Sequence, residues 1–297
     1  MAVGQHTPVM MDEALAWLAP RPGGVYCDAT VGYAGHAERV LRESAPDGRL
    51  VGIDRDEAAL AAARARLEAF GDRATLVHGT FGEARTILAA VGALPCDGLL
   101  VDLGVSSPQL DEPARGFSFR AAGPLDMRMD RSRGETARAA LGRLSQDALA
   151  DVLREYGEER YAGRIARVIC EAVGRGELQT TTELAELVAA SVPTRERHKD
   201  PATRTFQALR LLVNDELGEL DRILADLPDL VRAGGRAVFI AFHSLEDRRV
   251  KLALRELAAK PAPRFRRLTF KAQRPTEEEV ARNPRARSAR LRAVERC

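Results

Sequence analysis

An open α/β sheet of parallel strands, interrupted by a block of helices, is the architecture this sequence predicts. Three observations carry it. Strand-like apolar runs alternate with helical periodicity through the first hundred residues. Those runs are almost continuously apolar, as fits strands covered on both faces. Between residues 135 and 193 only helical periodicity is found, and strand patterns return afterwards.

Residues 9–19 have helical spacing (Val9, Met10, Ala14, Leu15, Leu18) and read as a brace packed on the first strand. Pro22-Gly23-Gly24 then punctuates entry to a strand over 25–29. A turn holding Gly32 and Gly35 leads into a helix from His36 to about Glu43. Residues 50–53 form the second strand, and Asp56 caps an alanine-rich helix to Phe70. A third strand over 75–78 precedes Phe81 and a helix through about Ala90, and residues 97–103 give the fourth strand. This alternation predicts right-handed crossovers. From Gly104 to about Asp130 the chain is turn-rich. Pro201 to Leu227 reads as one long amphipathic helix. Gly234-Gly235 precedes a fifth strand over 236–242, a helix follows to about Ala259, and residues 264–270 and 288–295 alternate as two antiparallel strands. The expected division is therefore a core over 1–110 and 206–297, with a helical insertion over 111–205.

Composition narrows the class. The chain has 297 residues, 45% apolar and 30% charged, which fits a soluble globular protein. No apolar run approaches the roughly 20 residues that span a bilayer, and no secretory signal is evident. Cys27, Cys96, Cys170 and Cys297 are far apart, which argues against a metal site or disulfide framework and fits a cytoplasmic location. Net charge is +2, but residues 260–297 carry 12 Lys/Arg against 4 Asp/Glu. A basic segment on a mildly acidic body suggests a polyanionic partner, although a solvated tail is the plainer reading of any charge run.

In such a sheet, ligands lie outside the carboxyl ends of the strands. This collects Gly32 to His36, Asp54, Phe81, Asp102 and His243. The glycine turn and helix start offer bare N–H groups. An acid such as Asp54, ending the second strand, can accept hydrogen bonds from both hydroxyls of a ribose. Gly-x-x-Gly is not the dinucleotide fingerprint, so a pyrophosphate is not the obvious ligand. Phe81 can cover an adenine ring or serve only the core. Asp102 ends an apolar strand, where a carboxylate is costly without a partner. Beyond it, Ser106-Ser107-Pro108-Gln109 offers hydroxyls, carbonyls freed from helical pairing and an amide, groups able to hold the amino edge of a base. His243 either handles a proton or belongs to a helix-start network in which Ser244 is the cap.

Several strings resemble the RsmH/MraW family of 16S ribosomal RNA cytidine-N4 methyltransferases. They include residues 6–9, 28–36, 102–111, 115–119, 123–130, 156–159, 201–210, 242–248 and 283–288, in order along almost the whole chain. The resemblance implies a class I, Rossmann-like, S-adenosylmethionine-dependent fold with a helical domain inserted after strand four. It implies methyl transfer to one cytidine of the decoding region; the expected substrate is an assembled small ribosomal subunit, with no metal needed because the sulfonium is already activated, and no membrane partner. By position, cofactor contacts carry over to Ala34, Gly35, His36, Asp54, Phe81, Asp102 and Gln109. The turn departs from the glycine-richer family form at Ala29, Tyr33 and Ala34. Asp102, Ser107, Pro108 and His243 are the candidate catalytic residues, Ser107 and Pro108 by analogy with other amino methyltransferases. Asp247 and Arg248 are candidates for positioning the cytidine. Arg195, Arg197, His198, Lys199, Arg204, Arg285 and Arg287 are candidate phosphate contacts. Arg128 stands between two methionines without an assigned role. Two other readings stay open: a methyltransferase of DNA bases or small molecules, and a non-catalytic RNA-binding assembly factor. Oligomeric state is open too, a homodimer included.

Overall fold

A computed structural model describes residues 8–193 and 200–297. The chain forms two compact units, one of residues up to Gly104 together with Leu217–Cys297, the other Val105–Glu216. The boundaries thus fall at 104/105 and 216/217, not at the expected 110/111 and 205/206.

The first unit is built on a seven-stranded sheet. Its strands are β1 (Val25–Asp28), β2 (Arg49–Asp54), β3 (Ala74–His78), β4 (Cys96–Asp102), β5 (Val231–Ala241), β6 (Phe265–Arg267) and β7 (Arg290–Arg296), in the order β3-β2-β1-β4-β5-β7-β6. Strands β1 to β5 are parallel, and β7 runs antiparallel to both β5 and β6. Helices α1 (Met11–Leu18), α2 (Gly35–Glu43), α3 (Glu57–Leu67), α4 (Ala84–Ala90), α11 (Glu216–Leu230, of which Glu216 belongs to the second unit), α12 (Ser244–Leu257) and α13 (Glu277–Arg282) flank it.

Because strand side chains alternate between faces, neighbours in one strand enter different cores. Cys27, Leu99, Val101 and Phe239 pack with α4, α11 and α12 residues such as Leu88, Leu224 and Leu254. Tyr26, Leu50, Leu100, Val238 and Ile240 pack with Leu15, Leu41 and Leu60 on the other side. Truncating any of these fully buried leucines to alanine costs on the order of 2–5 kcal/mol. The α1 brace packs on β4, β5, β7 and α2. Asp56 caps α3 through Ala58 N. Strand β5 begins at Val231, five residues ahead of the expected start, because Val231 already pairs with Cys96 before the chain loops out and resumes at Arg236 opposite Gly98.

The second unit is helical: α5 (Ser107–Asp111), α6 (Ala137–Arg143), α7 (Gln146–Gly157), α8 (Ala162–Gly174), α9 (Thr181–Ser191) and α10 (Thr203–Val213). Its core joins Leu149, Leu153, Ile165, Ile169, Leu184, Phe206 and Leu209. The expected single helix over 201–227 is broken. Asn214 ends α10 and Asp215 takes a left-handed φ of 47°, so α11 starts afresh at Glu216. The amphipathic stripe runs through the break, which is why periodicity alone did not show it. Arg128 also gains a role: its guanidinium grips Asp126 through Nε (2.7 Å) and Nη2 (3.0 Å).

Candidate cofactor site

The sheet changes winding direction between β1 and β4, so the loops leaving these strands diverge and leave a crevice. After Asp28 the turn stays tied to both neighbouring strands, Ala29 N donating to Leu100 O and Val31 N to Ile53 O, each at 2.9 Å. Gly32 (φ 50°) and Ala34 (φ 59°) are both left-handed, and α2 begins directly afterwards. Gly35 has no space for a side chain: a Cβ there would overlap the ring of Pro8. Alanine at 34 holds a conformation that glycine adopts without penalty.

Three carboxyls end the strands beside this turn. Asp54 closes β2, and each oxygen takes one backbone N–H: Oδ2 from Gly32 and Oδ1 from Asp56, both at 2.8 Å. That fixes the carboxyl plane and leaves the remaining lone pairs for a ligand. Asp28 closes β1, is 2% exposed, and accepts only a long bond, 3.3 Å, from Thr30 N. Asp102 closes β4, its own N–H held by Thr30 Oγ1 at 2.7 Å. Its Oδ1 is buried with no hydrogen-bond partner among the described residues, and its Oδ2 lies 3.8 Å from His36 Nδ1. His36 Nε2 meets Val9 O at 3.1 Å; a carbonyl only accepts, so Nε2 carries the proton and Nδ1 faces Asp102.

The electrostatics are one-sided. Burial pushes Asp28 up to about 7, with Asp54 adding to it. Burial raises Asp54 despite the two N–H groups that favour its charge. Burial, then Asp28 and Glu246, raise Asp102 well above the usual carboxylate range. Among the described residues none of the three forms an ion pair with lysine or arginine. A rim of this kind fits a cationic ligand with hydroxyls, whose charge would restore the ionised carboxylates. S-adenosylmethionine, with a sulfonium, an ammonium and a ribose diol, meets that requirement. The Asp102 oxygen, without a hydrogen-bond partner among the described residues, is the observation that it fits.

Asp28 and Glu246 were not among the expected site residues. Asp28 carried the signal used for Asp102, an acid ending an apolar strand. Glu246 lies within α12 with no such signal, and its Oε2 accepts from Phe242 N (2.8 Å) and His243 N (3.2 Å).

The structure brings Ala34, Gly35, His36, Asp54 and Asp102 together at the ends of β1, β2 and β4. Phe81 follows β3 and is 8% exposed, with the Arg55 guanidinium 5.6 Å from its ring centroid. Ser107, Pro108, Gln109 and Arg204 belong to the helical unit. There the expected turn is helix α5, capped reciprocally: Ser106 N donates to Gln109 Oε1 (3.0 Å) and Gln109 N to Ser106 Oγ (3.4 Å). The carbonyls of Ser106 and Pro108 accept from Leu110 N and Glu112 N, so they are not freed from helical pairing as expected. His243, not Ser244, is the N-cap of α12, its Nδ1 accepting from Glu246 N at 3.4 Å. Asp247 is held away from a substrate role. Burial would raise it, but Arg292 (2.7 Å) and Arg290 (3.0 Å) hold it below the usual carboxylate range. Arg285 and Arg287 are exposed on a short turn before β7. Arg195, Arg197, His198 and Lys199 lie outside the described residues.

The strand order, with an antiparallel β7 between β5 and β6, and the carboxylate rim at the winding change define a class I, Rossmann-like methyltransferase. Residues 4–297 match the model of the MraW methylase family, and the chain belongs to that family of S-adenosylmethionine-dependent methyltransferases. It is 53% identical over 293 residues to a ribosomal RNA small subunit methyltransferase H of Sorangium cellulosum, covering 98% of this chain and 91% of that one. It is 48% identical over 312 residues to the protein of the same name from Pelobacter propionicus, covering 100% of both. Among solved structures, an rRNA methylase from Streptococcus thermophilus aligns over 96% of this chain and 93% of its own, at 12% identity and a TM-score of 0.40, too distant to inform residue roles.

Proposed function

We propose that this protein methylates the exocyclic N4 amine of one cytidine in the decoding region of 16S ribosomal RNA, within the assembled small subunit. The relatives named for small-subunit RNA methylation support the substrate class, and the family resemblance supports the acceptor atom. The observation that carries the site is the buried, unpartnered Oδ1 of Asp102 at the winding change of the sheet.

S-adenosylmethionine supplies an activated methyl group on a sulfonium, so no metal is needed to make the carbon electrophilic. Asp54, its plane fixed by Gly32 N and Asp56 N, accepts the ribose hydroxyls. The turn 32–35 presents backbone to the ligand through its left-handed residues Gly32 and Ala34, while the space beside Gly35 is taken by Pro8. Asp102 orients a positively charged or N–H-bearing group through Oδ1, while Thr30 Oγ1 holds the Asp102 backbone N–H and His36 Nδ1 lies 3.8 Å from Oδ2. Asp28, held protonated by burial up to about pH 7, adds negative charge once a cationic ligand ionises it. Phe81, backed by Arg55, closes the apolar side. Ser107, Pro108 and Gln109 sit where the chain enters the helical unit. We assign Ser107 and Pro108 to the base, Ser107 as a hydroxyl acceptor and Pro108 as the residue that stiffens the start of α5, and Gln109 to the cofactor as the resemblance implies. An N4 amine is delocalised into its ring, so acceptors that hold it out of conjugation promote transfer. The cytidine must be unpaired or splayed to enter. Arg195, Arg197, Lys199, Arg204, Arg285 and Arg287 contribute phosphate contacts as a set.

Mass-spectrometric mapping of 16S RNA tests the reading, using small subunits incubated with enzyme and cofactor. One new N4-methylcytidine in the decoding region is expected, and none on naked DNA. Methylation elsewhere, or none, would sink it. Asp102→Asn should lower cofactor affinity roughly 10- to 150-fold, the range for a hydrogen bond to a charged group, measured by calorimetry. A variant binding as wild type would remove Asp102 from the site.

A further inference from the structure

The largest apolar side chain exposed among the described residues is Phe270, at 75%. A lone exposed hydrophobe usually needs no explanation. This one stands on a loop held at both ends. Leu268 N donates to Ala293 O (2.9 Å) and Ala293 N to Thr269 Oγ1 (3.0 Å) on one side. On the other, Gln273 and Leu291 exchange both backbone hydrogen bonds at 2.9 Å, and Trp17 Nε1 donates to Gln273 Oε1 at 2.7 Å. The three residues between, Phe270, Lys271 and Ala272, form the tip. Five hydrogen bonds therefore hold in place a loop whose apex presents a phenyl ring to water.

The sequence around that ring is basic, although Arg266 is paired with Glu295 at 2.7 Å. Residues 264–274 contain Arg264, Arg266, Arg267, Lys271 and Arg274 and no acidic residue. The Arg267 guanidinium lies 5.1 Å from the Phe270 centroid. Lys271 and Arg274 are exposed beside it. Aromatic rings among phosphate-neutralising side chains are the general means of holding unpaired nucleotides, since every base has a face to stack and every linkage a charge to meet. A protein partner would more often ask for a broader apolar patch, and here the apolar surface is one ring.

We propose that Phe270 is a stacking platform for an unpaired base of the RNA substrate, with Lys271 and Arg274 meeting the adjoining phosphates. It is a docking point on the edge-strand side of the sheet, separate from the carboxylate rim. The proposal rests on the RNA-methylation reading.

The test is fluorescence anisotropy with a labelled single-stranded RNA 12-mer of mixed sequence, repeated with isolated small subunits, across a salt series. Phe270→Ala should weaken binding to the RNA about 5- to 150-fold, the range for loss of one base–aromatic stack, and leave the salt slope unchanged. Phe270→Trp should bind at least as tightly as wild type. Lys271→Ala with Arg274→Ala should lower the slope of log affinity against log salt by about 1.4, roughly 0.7 per single-strand phosphate contact. Cofactor affinity and melting temperature should not move in any variant. Wild-type binding that Phe270→Ala leaves intact overturns the platform and spares the RNA reading. No binding by wild type to either probe overturns both. Loss of self-association in Phe270→Ala, seen by ultracentrifugation with RNA binding retained, would assign the ring to a second copy of the chain instead.

Discussion

The carboxylate rim of the sheet and the polar ties of the helical unit treat buried charge in opposite ways. In the helical unit, several buried polar side chains find partners, although Thr205 Oγ1 has no hydrogen-bond partner among the described residues. Arg115 Nη2 donates to Met129 O (2.9 Å) and Arg128 O (3.2 Å), and Arg210 holds Glu216 through two bonds at 2.8 and 3.0 Å. Asn214 Oδ1 accepts from Met129 N (2.8 Å), while Nδ2 donates to Met127 O (2.8 Å) and Arg210 O (2.9 Å). Burial acts to raise Asp126, yet Arg128 keeps it below the usual carboxylate range. At the rim, Asp28, Asp54 and Asp102 are all raised. Matched groups hold a loop in shape. Unmatched ones store a demand that only a ligand of opposite charge meets.

Three variants sharpen or break this contrast. Asn214→Ala has the largest expected effect. It strands the Met129 N–H and the Met127 carbonyl, at about 1–3 kcal/mol each, so roughly 2–6 kcal/mol of stability. Urea unfolding measures it, and a loss under 1 kcal/mol would mean the tie is dispensable.

Asp28→Asn should act in the opposite sense. Wild-type Asp28 is pushed from 3.8 up to about 7 in the fold. The folded state therefore keeps its proton where the unfolded chain has lost it, and this group's contribution to stability declines as pH rises from about 4 to 7. The amide removes that penalty. The variant should be more stable at pH 8, by up to about 4 kcal/mol, with the advantage closing as pH falls below 7. It should also bind cofactor less tightly at pH 8. Parallel melting curves for the two proteins from pH 5 to 8 would contradict the assignment.

His243→Ala is the smallest. Losing an N-cap costs on the order of 1 kcal/mol, and turnover should stay within a few-fold of wild type. A hundredfold fall in kcat with the melting temperature retained would make His243 a reacting group rather than a cap.

The same contrast explains what could be read from sequence. The alternation of strands and helices was legible because β1, β2 and β4 are buried along nearly their whole length, leaving unbroken apolar runs, with only the edge strand β3 half-buried. Asp54 and Asp102 were legible because acids stand out at the ends of such runs. Asp28 gave the same signal and was passed over beside the glycines. The capping pair Ser106–Gln109 and the His243 cap were not legible as such, since Ser, His and Gln serve caps and active sites with the same atoms. The break at Asn214 was hidden by a stripe of leucines that continues through it, and only the partners of the Asn214 side chain reveal why the chain stops there.

Strand β7 has a further meaning for biogenesis. It fills the gap between β5 and β6, and it brings Arg292, the guanidinium that neutralises Asp247. A nascent chain not yet translated through residue 290 exposes the whole edge of β5 and leaves Asp247 without its counter-ion. Such an edge is a template for aggregation. Proteolytic clipping or a premature stop just upstream of Arg290 should therefore yield an insoluble product rather than a weakened enzyme.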